Sequence, residues 1–325
     1  MRAILCETFG PPEGLVLAEI DKPEPGPGEL LVRVHAAALN FFDTLIIENK
    51  YQFTPDRPFS PAGEISGVIE ACGEGVDAGR VGERVIAYVR WGGARDYVVI
   101  KVEEALLMPD GLGFEEAAGL MITYGTTIYA LRSRAKLQPG ETLAVLGASG
   151  GVGLAAVEIG RLMGARVIAC ASSDDKLALC KAHGADELLN YVKLDLKSAL
   201  KSLTDRRGVD VVYDPVGGDL AEAALRATGW YGRFLVIGFA SGTIPKMPLN
   251  LVMLKSVDVL GVFWSESILI EPQAHAENML QIMEWVKAGD LKPHIDRVYP
   301  LEKTPEAIRA IANREAKGKV IVSLV

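Results

Sequence analysis

Residues 143–160 read LAVLGASGGVGLAAVEIG, an apolar stretch with one charged residue, Glu158, and several glycines. An apolar run of this length suggests either a membrane-spanning helix or a buried strand and helix joined by a tight turn. The glycines lower helix propensity and Glu158 would lie inside the bilayer. Strand-forming residues precede the first glycine and helix-forming residues follow the last. The stretch therefore predicts a strand, a turn and a helix, and no membrane segment.

The spacing of these glycines is typical of a dinucleotide-binding turn. Gly150 and Gly153 match the last two glycines of the G-x-G-x-x-G fingerprint, whereas Ala148 takes the first position. Gly150 would let the backbone approach a pyrophosphate, and Gly153 would let helix and strand pack closely. The alternative is a tight turn without a ligand. The cofactor-binding residues expected here are Ser149, Gly150, Gly151, Val152 and Gly153.

The next strand indicates which dinucleotide is bound. NAD sites place an acid at the end of this strand for the ribose 2′-hydroxyl, but residues 167–177 read VIACASSDDKL, with Ala171, Ser172 and Ser173 at that point. A carboxylate about 4 Å from a 2′-phosphate would be repelled by roughly 4 kcal/mol at an effective dielectric of about 20. Ser172, Ser173 and Lys176 could instead bind the phosphate, which favours NADP over NAD. The alternative is that Ser173 caps a helix and Lys176 faces solvent.

Composition limits the class of protein and its partners. The chain has 325 residues, of which 23% are charged and 49% hydrophobic, enough for two domains. A net charge of −8 argues against nucleic acid or an anionic membrane surface as a partner. The first residues lack a secretory signal, and the four cysteines contain no CxxC pair. We therefore expect reduced thiols and a cytoplasmic location.

The pattern of elements changes near residue 122. Before it, short apolar or alternating runs separated by turn residues predict a small, mostly antiparallel β domain. After it, apolar strands alternate with helices, which predicts a parallel sheet covered on both faces. Strands are predicted at residues 142–146, 166–170, 187–191, 209–213, 233–237 and 257–263. The last part of the chain returns to a mixed pattern.

Four segments resemble a known family: residues 140–161 (GETLAVLGASGGVGLAAVEIGR), 39–51 (LNFFDTLIIENKY), 59–68 (FSPAGEISGV) and 261–265 (GVFWS). They are similar to the quinone oxidoreductase (zeta-crystallin) branch of the zinc-free medium-chain dehydrogenases/reductases, over nearly the whole chain. The resemblance implies an α/β fold in which a Rossmann doubly wound parallel sheet is inserted into a β-rich GroES-like catalytic domain. The implied ranges are 1–121 for the first part of the catalytic domain, 122–263 for the NADP-binding domain and 264–325 for the return segment. A homodimer that pairs through residues 257–264 is implied in the same way.

The resemblance also implies a site without a metal. Zinc-containing members of the superfamily carry a cysteine where this chain has Asn40 and a histidine where it has Gly63, and their cluster of four cysteines is missing. Without a Lewis acid, the site suits a conjugated electrophile better than a simple alcohol or ketone. We therefore predict an NADPH-dependent, zinc-independent oxidoreductase that transfers hydride to a small-molecule quinone or α,β-unsaturated carbonyl compound.

Further site residues follow from the resemblance and from strand ends. Asn40, Asp43 and Tyr51 match the segment on the substrate side of the nicotinamide, with Tyr51 as the hydrogen-bond donor to the carbonyl oxygen. The alternatives are helix capping for Asn40 and Asp43 and core packing for Tyr51. Expected cofactor contacts are Thr126, Thr127, Tyr191, Gly238, Phe239, Ala240, Phe263 and Trp264. The KGK segment, Lys317–Lys319, reaches either the 2′-phosphate or solvent.

Two other functions remain open from the sequence. One is an enoyl-thioester reductase on the same fold, which would be favoured by a basic groove for the phosphates of coenzyme A. Only Lys50 and Arg57 are basic residues near the segment from Asn40 to Tyr51. The other is a non-catalytic, crystallin-like protein that keeps the nucleotide site.

Overall fold

A computed structural model describes residues 1–325 and divides them into two compact units. The first unit comprises Met1–Ile122 and Lys292–Val325, and the second comprises Thr123–Leu291. The sequence pattern placed the corresponding boundaries after residues 121 and 263. The difference at the second boundary reflects two helices that pack within the second unit, as described below.

Elements of the chain up to residue 122 are mostly strands, in line with their alternating apolar residues. They are β1 (Arg2–Leu5), β2 (Val16–Glu19), β3 (Glu29–Leu39), α1 (Phe41–Ile46), β4 (Glu64–Cys72), β5 (Arg84–Tyr88), β6 (Tyr97–Lys101), β7 (Leu106–Leu107) and α2 (Phe114–Ala118). The proline-rich residues 22–28 form no strand or helix, because proline fixes φ and lacks a donor.

Elements of the middle of the chain alternate between helix and strand. They are α3 (Met121–Ile128), β8 (Thr142–Leu146), α4 (Gly151–Leu162), β9 (Arg166–Ala171), α5 (Asp174–Ala182), β10 (Glu187–Asn190), α6 (Leu196–Leu203), β11 (Val209–Asp214), α7 (Asp219–Ala227), β12 (Thr228–Val236), α8 (Leu249–Lys255), β13 (Asp258–Gly261), α9 (Trp264–Ile270) and α10 (Pro272–Ala288). The return segment adds β14 (Ile295–Pro300), α11 (Thr304–Ala312) and β15 (Lys319–Ser323).

The first unit is built on a seven-stranded sheet in the order β14-β15-β3-β4-β5-β7, with β6 also paired to β3. The last strand, β15, runs antiparallel to β3 and pairs Val320 with Leu39. The return segment therefore completes the sheet of the first unit. This pairing brings the start of β15 beside the end of β3, where α1 begins.

The second unit contains a six-stranded parallel sheet in the order β10-β9-β8-β11-β12-β13. The chain moves outward from β8 in one direction and then returns to β11 on its other side, which is the reversal of a doubly wound sheet. Strand β12 begins at Thr228, five residues before the predicted start, because its first residue already pairs with Val209 of β11 before a register shift. The helix α4 that follows the glycine turn has 12 residues. No helix has the length and apolar character needed to cross a membrane.

The helices α9 and α10 belong to the second unit because their side chains pack there. A Cβ atom on Gly125 would lie 2.7 Å from the Trp264 ring, so α3 accepts this tryptophan only with glycine at that position. In α10, the amide of Asn278 donates to the Ser133 hydroxyl at 3.1 Å. These contacts account for the domain boundary at residue 291.

Candidate active site

The turn between β8 and α4 has the shape that close approach of a ligand requires. Gly150 is the N-cap residue of α4 and no side chain caps this end of the helix. A Cβ atom on Gly150 would meet only the Gly147 carbonyl oxygen, at 3.5 Å, whereas a Cβ atom on Gly153 would lie 2.3 Å from that oxygen. One glycine thus leaves open space at the helix N-terminus, and the other allows the helix to pack on the turn.

The glycine that makes the turn itself was missed from the sequence. Gly147 has φ +58°, the left-handed conformation that a glycine adopts without strain. The fingerprint alignment assigned the first position to Ala148, but Ala148 is fully buried and its N–H donates to the Cys170 carbonyl at 3.1 Å. The signal was present in the sequence, since Gly147 immediately follows the last residue of the strand.

Most predicted cofactor residues follow the carboxyl ends of parallel strands, which meet at one edge of the sheet. Ser172 and Ser173 follow β9, Tyr191 follows β10, the 238–240 segment follows β12, and Phe263 follows β13 by two residues. Together with the glycine turn after β8, they lie at the edge where doubly wound sheets bind ligands.

At the end of β9, a lysine and a serine form a polar pair. The Lys176 ammonium lies 3.5 Å from the Ser172 hydroxyl, and Ser173 donates to the Asp175 carboxylate at 2.5 Å. The Asp174 carboxylate accepts hydrogen bonds from the Asn190 amide, at 2.8 Å, and from the Lys193 ammonium. The Lys193 hydrogen bond, followed by that of Asn190, lowers the pKa of Asp174. Asp174 is therefore ionised and paired with Lys193, and the Lys176 ammonium lies beside the Ser172 hydroxyl.

Two of the other predicted cofactor residues, Thr127 and Trp264, make their contacts within the second unit. The Thr127 hydroxyl is fully buried, donates to the Thr123 carbonyl at 2.7 Å and lies 2.9 Å from the Tyr213 hydroxyl. Trp264 is 5% exposed and packs on Gly125. Their neighbours, Thr126 and Phe263, are the more accessible residues of each pair.

In the first unit, Asp43 organises the start of α1. Its carboxylate accepts hydrogen bonds from the backbone N–H groups of Asn40, at 2.7 Å, and Ala62, at 2.8 Å. Complete burial raises the pKa of Asp43 to about 7, against the lowering effect of these two hydrogen bonds and of Lys319. Both oxygens are thus engaged by the backbone, which is the capping role that the sequence left as the alternative.

The side chain of Asn40 is held by a buried ion pair. Its Nδ2 donates to Oε1 of Glu64 at 2.9 Å, and its Oδ1 accepts from the ammonium of Lys319 at 2.7 Å. Lys319 and Glu64 are 2.8 Å apart, with side chains 3% and 0% exposed. The second oxygen of Glu64 accepts from the backbone N–H of Ile122 at 2.8 Å. All three polar side chains are therefore satisfied within the first unit.

This arrangement corrects one prediction and adds two residues. Lys319 was expected either at the 2′-phosphate or in a solvated turn, and both expectations are wrong because the side chain is buried against Glu64. Neither Glu64 nor Lys319 was predicted to lie beside Asn40. The available signal was a pair of opposite charges, each at the first position of a largely apolar strand, β4 and β15.

Tyr51 belongs to an aromatic group beside Asp43. Its ring centroid lies 5.5 Å from that of Phe42 and 6.0 Å from that of Phe53. Burial, followed by the charge of Asp43, raises the pKa of the Tyr51 hydroxyl. The hydroxyl is therefore protonated at neutral pH and is able to donate a hydrogen bond.

Gly63 leaves no space for a side chain. A Cβ atom there would lie 2.6 Å from the Arg90 carbonyl oxygen and 2.6 Å from Cζ of Phe42. A histidine at this position, as in zinc-containing relatives, would require a backbone shift. No group of three or more His, Cys, Asp or Glu side chains in the chain is arranged to hold a metal ion.

Comparison with known proteins identifies both units. Residues 26–126 match the family model of the alcohol dehydrogenase GroES-like domain, and residues 151–285 match that of the zinc-binding dehydrogenases. The chain is 36% identical to quinone oxidoreductase-like protein 2 of Bos taurus over 99% of its own length and 92% of that protein. It is 33% identical to the quinone oxidoreductase of Homo sapiens over 100% of its own length and 98% of that protein.

A solved structure shares the whole fold. The quinone oxidoreductase of Escherichia coli in complex with NADPH is 27% identical to the chain and superimposes with a TM-score of 0.91, covering 100% of both chains. The predicted α/β architecture, with a GroES-like β domain and a Rossmann-type parallel sheet, is confirmed.

Proposed function

Since the chain belongs to the quinone oxidoreductase branch of the medium-chain dehydrogenase/reductase superfamily, we propose that it is a zinc-independent NADPH-dependent oxidoreductase that reduces a quinone or an α,β-unsaturated carbonyl compound. One observation about the edge of the parallel sheet carries this proposal. The N-terminus of α4 at Gly150 has no side-chain cap and offers backbone N–H groups to a pyrophosphate. The Ser172–Lys176 pair offers a hydroxyl and an ammonium to a 2′-phosphate. The bound nicotinamide supplies hydride to the acceptor.

The proposal assigns a role to each residue of the candidate site. Backbone N–H groups at the start of α4 bind the pyrophosphate, and Lys176 with Ser172 binds the 2′-phosphate. Tyr51, whose hydroxyl keeps its proton at neutral pH, donates a hydrogen bond to the acceptor's carbonyl oxygen, where negative charge develops. Asp43 and the Lys319–Glu64 pair hold the Asn40 segment in position.

Zinc independence is supported by the chemistry around Asn40. An amide replaces the thiolate ligand, and a side chain on Gly63 would collide with the backbone of Arg90. In addition, the Lys319 ammonium lies 2.7 Å from Oδ1 of Asn40. The amide oxygen that could serve as a metal ligand therefore already accepts a hydrogen bond from the buried Lys319–Glu64 pair.

A homodimer is the second part of the proposal. Strand β13 is an edge of the six-stranded sheet, and large apolar side chains of the second unit are exposed, among them Val259 (40%), Leu249 (75%), Met253 (71%) and Trp230 (62%). An unpaired edge strand with exposed apolar residues favours pairing with another chain. A second copy joined through β13 would pair with this edge and cover Val259. The four cysteines are free, which supports a reducing compartment such as the cytoplasm.

One set of assays tests the function. The purified protein is incubated with NADPH or NADH and with 1,4-benzoquinone, cyclohexenone or crotonyl-CoA, and its metal content is measured on the same sample. We expect saturable oxidation of NADPH with the quinone or the enone, and no stoichiometric zinc. A clear preference for crotonyl-CoA would indicate the thioester reductase instead, and tight NADPH binding without oxidation would indicate a non-catalytic protein.

A further inference from the structure

Arg90 completes a closed set of contacts around Tyr51. The Arg90 carbonyl and Phe42 both lie against Gly63, Phe42 packs on Tyr51, and Tyr51 packs on Phe53. The Arg90 guanidinium carbon then lies 5.8 Å from the centroid of the Phe53 ring. We call these five residues the Tyr51 cluster. Arg90 is distant in sequence from the Asn40–Tyr51 segment, which explains why only Lys50 and Arg57 were considered as basic residues there.

The charge of Arg90 is not neutralised by the protein. Its side chain is half-buried, and its contact is the face of Phe53 and not a carboxylate. Lys319 pairs with Glu64 and Lys50 pairs with Glu48, whereas Arg57 lies over the ring of Phe9.

Asp43, the acid whose charge acts on Tyr51, does not neutralise Arg90. Asp43 is fully buried and both of its oxygens accept from backbone N–H groups. The Arg90 charge therefore lies over the Phe53 ring, and that ring packs in turn on Tyr51, the group that is proposed to bind the carbonyl oxygen.

The backbone at Arg90 does not itself require arginine. Its φ of +60° lies in the left-handed region, which costs about 1–2 kcal/mol for a residue other than glycine. The loop is held in this conformation by Val89, whose N–H donates to the Gly63 carbonyl at 2.8 Å. A strained conformation that holds a charged side chain next to a proposed substrate site is consistent with a binding role.

We propose that Arg90 binds an anionic group on the acceptor, so that the preferred substrates are enones or quinones that carry a carboxylate or a phosphate. A guanidinium binds either anion through two parallel N–H donors, while the three aromatic rings of the cluster pack on the apolar part of the same molecule. This inference rests on the proposed function, since it names a substrate class for the same site.

A suitable probe is trans-4-oxo-4-phenyl-2-butenoate, compared with its methyl ester. In both compounds, hydride adds to the alkene carbon β to the ketone, a proton adds to the α carbon, and the saturated ketone and NADP⁺ are formed. The two compounds differ in the negative charge of the carboxylate. We expect kcat/KM for the acid to exceed that for the ester by at least tenfold at low ionic strength.

Variants separate the charge of Arg90 from its packing. Arg90→Met is expected to lower the acid-to-ester ratio of kcat/KM at least tenfold, whereas Arg90→Lys retains part of the preference because it keeps the charge. The matched control is Arg57→Met, since Arg57 also lies over a phenylalanine ring, that of Phe9 at 4.5 Å, but outside the cluster. An equal ratio in wild type and Arg90→Met would overturn the proposal.

Binding without turnover provides an independent test. Calorimetry with the saturated 4-oxo-4-phenylbutanoate and its methyl ester is expected to show tighter binding of the acid, lost in Arg90→Met. If neither enone is reduced but this binding difference is present, the proposed reaction fails and the anion site stands. If the ester is reduced and no difference is found, the anion site fails and the reaction stands.

The same variants distinguish the two anions. If the group is a phosphate, phenyl phosphate will inhibit reduction of the methyl ester more strongly than benzoate does in wild type, and this inhibition will be lost in Arg90→Met. If it is a carboxylate, benzoate will be the stronger inhibitor, with the same loss in Arg90→Met.

Discussion

The ammonium of Lys319 lies 2.8 Å from Oε1 of Glu64, and both side chains are almost completely buried. The pair joins the last strand of the chain to β4, and each partner also bonds the side chain of Asn40. A residue near the C-terminus thus fixes the conformation of a segment near residue 40. The buried charges are compensated by each other and by the hydrogen bonds around them.

Removing one charge of this pair should lower the free energy of unfolding far more than removing both. Lys319→Met leaves Glu64 buried and unpaired, and we expect the free energy of unfolding to fall by about 3–5 kcal/mol. The double variant Lys319→Met/Glu64→Gln should recover most of that loss, because no charge remains buried. Urea unfolding of the wild type, both single variants and the double variant measures the coupling. Additive losses would show that the ion pair does not act as a unit.

The sequence predicted the two-part α/β fold because its signals are local. Strand β8, the glycine turn and α4 follow from residues within one short stretch, and strand ends could be read from the alternation of apolar runs. Tyr51, Gly150 and Lys176 were predicted from such local patterns or from the resemblance.

Long-range pairings could not be predicted in this way. The contacts of Lys319 with Glu64 and of Arg90 with Phe53 join residues far apart in the sequence, so no spacing rule indicates them. The boundary after residue 291 was also missed, because the packing of Trp264 on Gly125 depends on tertiary structure.

Alanine at the two glycines of the turn should separate folding from nucleotide binding. In Gly153→Ala, the new Cβ would lie 2.3 Å from the Gly147 carbonyl oxygen, so we expect a loss of about 1–3 kcal/mol in stability. In Gly150→Ala the nearest atom is 3.5 Å away, so the melting temperature should be nearly unchanged. Its methyl group would instead occupy the space proposed for the pyrophosphate and raise the Kd for NADPH at least tenfold. Equal NADPH affinity in Gly150→Ala and wild type would contradict the proposed site.

The preference for NADPH should depend on Lys176. We expect Lys176→Met to raise the Kd for NADPH about tenfold, equivalent to about 1.4 kcal/mol, with little effect on NADH, which lacks the 2′-phosphate. The control is Lys181→Met on the same helix, whose ammonium donates to the Asp186 carbonyl at 3.2 Å. Fluorescence titration with both nucleotides measures the effect. A parallel loss of affinity for NADPH and NADH would show that Lys176 does not recognise the 2′-phosphate.

A charge on the edge strand β13 should break the proposed dimer. Val259 lies within this strand and is 40% exposed, so Val259→Lys would place an ammonium where a second copy is expected to pair. We expect sedimentation velocity to show a dimer for wild type and a monomer for the variant. Leu107→Lys is the control, because Leu107 is an exposed residue on an edge strand of the first unit. A monomeric wild type, or a variant that sediments as wild type does, would argue against pairing through β13.

The buried Asp43 should make stability depend on pH near neutrality. Its pKa is raised to about 7 in the folded protein, from 3.8, mainly by burial. Between these values the folded state holds more protons than the unfolded state. The stability associated with protonated Asp43 is therefore fully present below about pH 4 and is lost as the pH rises to about 7. In that window the loss should approach about 1.4 kcal/mol per pH unit.

Asp43→Asn isolates this contribution because an amide of the same shape does not titrate. We expect the stability difference between wild type and Asp43→Asn to shift in favour of the variant as the pH rises from 4.5 to 7.5, and to level off above that. Urea unfolding at intervals of half a pH unit measures the difference, and the ¹³C shift of the Asp43 carboxyl reports its titration directly. Parallel stability curves, together with a carboxyl that titrates near pH 4, would show that the backbone hydrogen bonds from Asn40 and Ala62 outweigh burial and keep Asp43 ionised throughout.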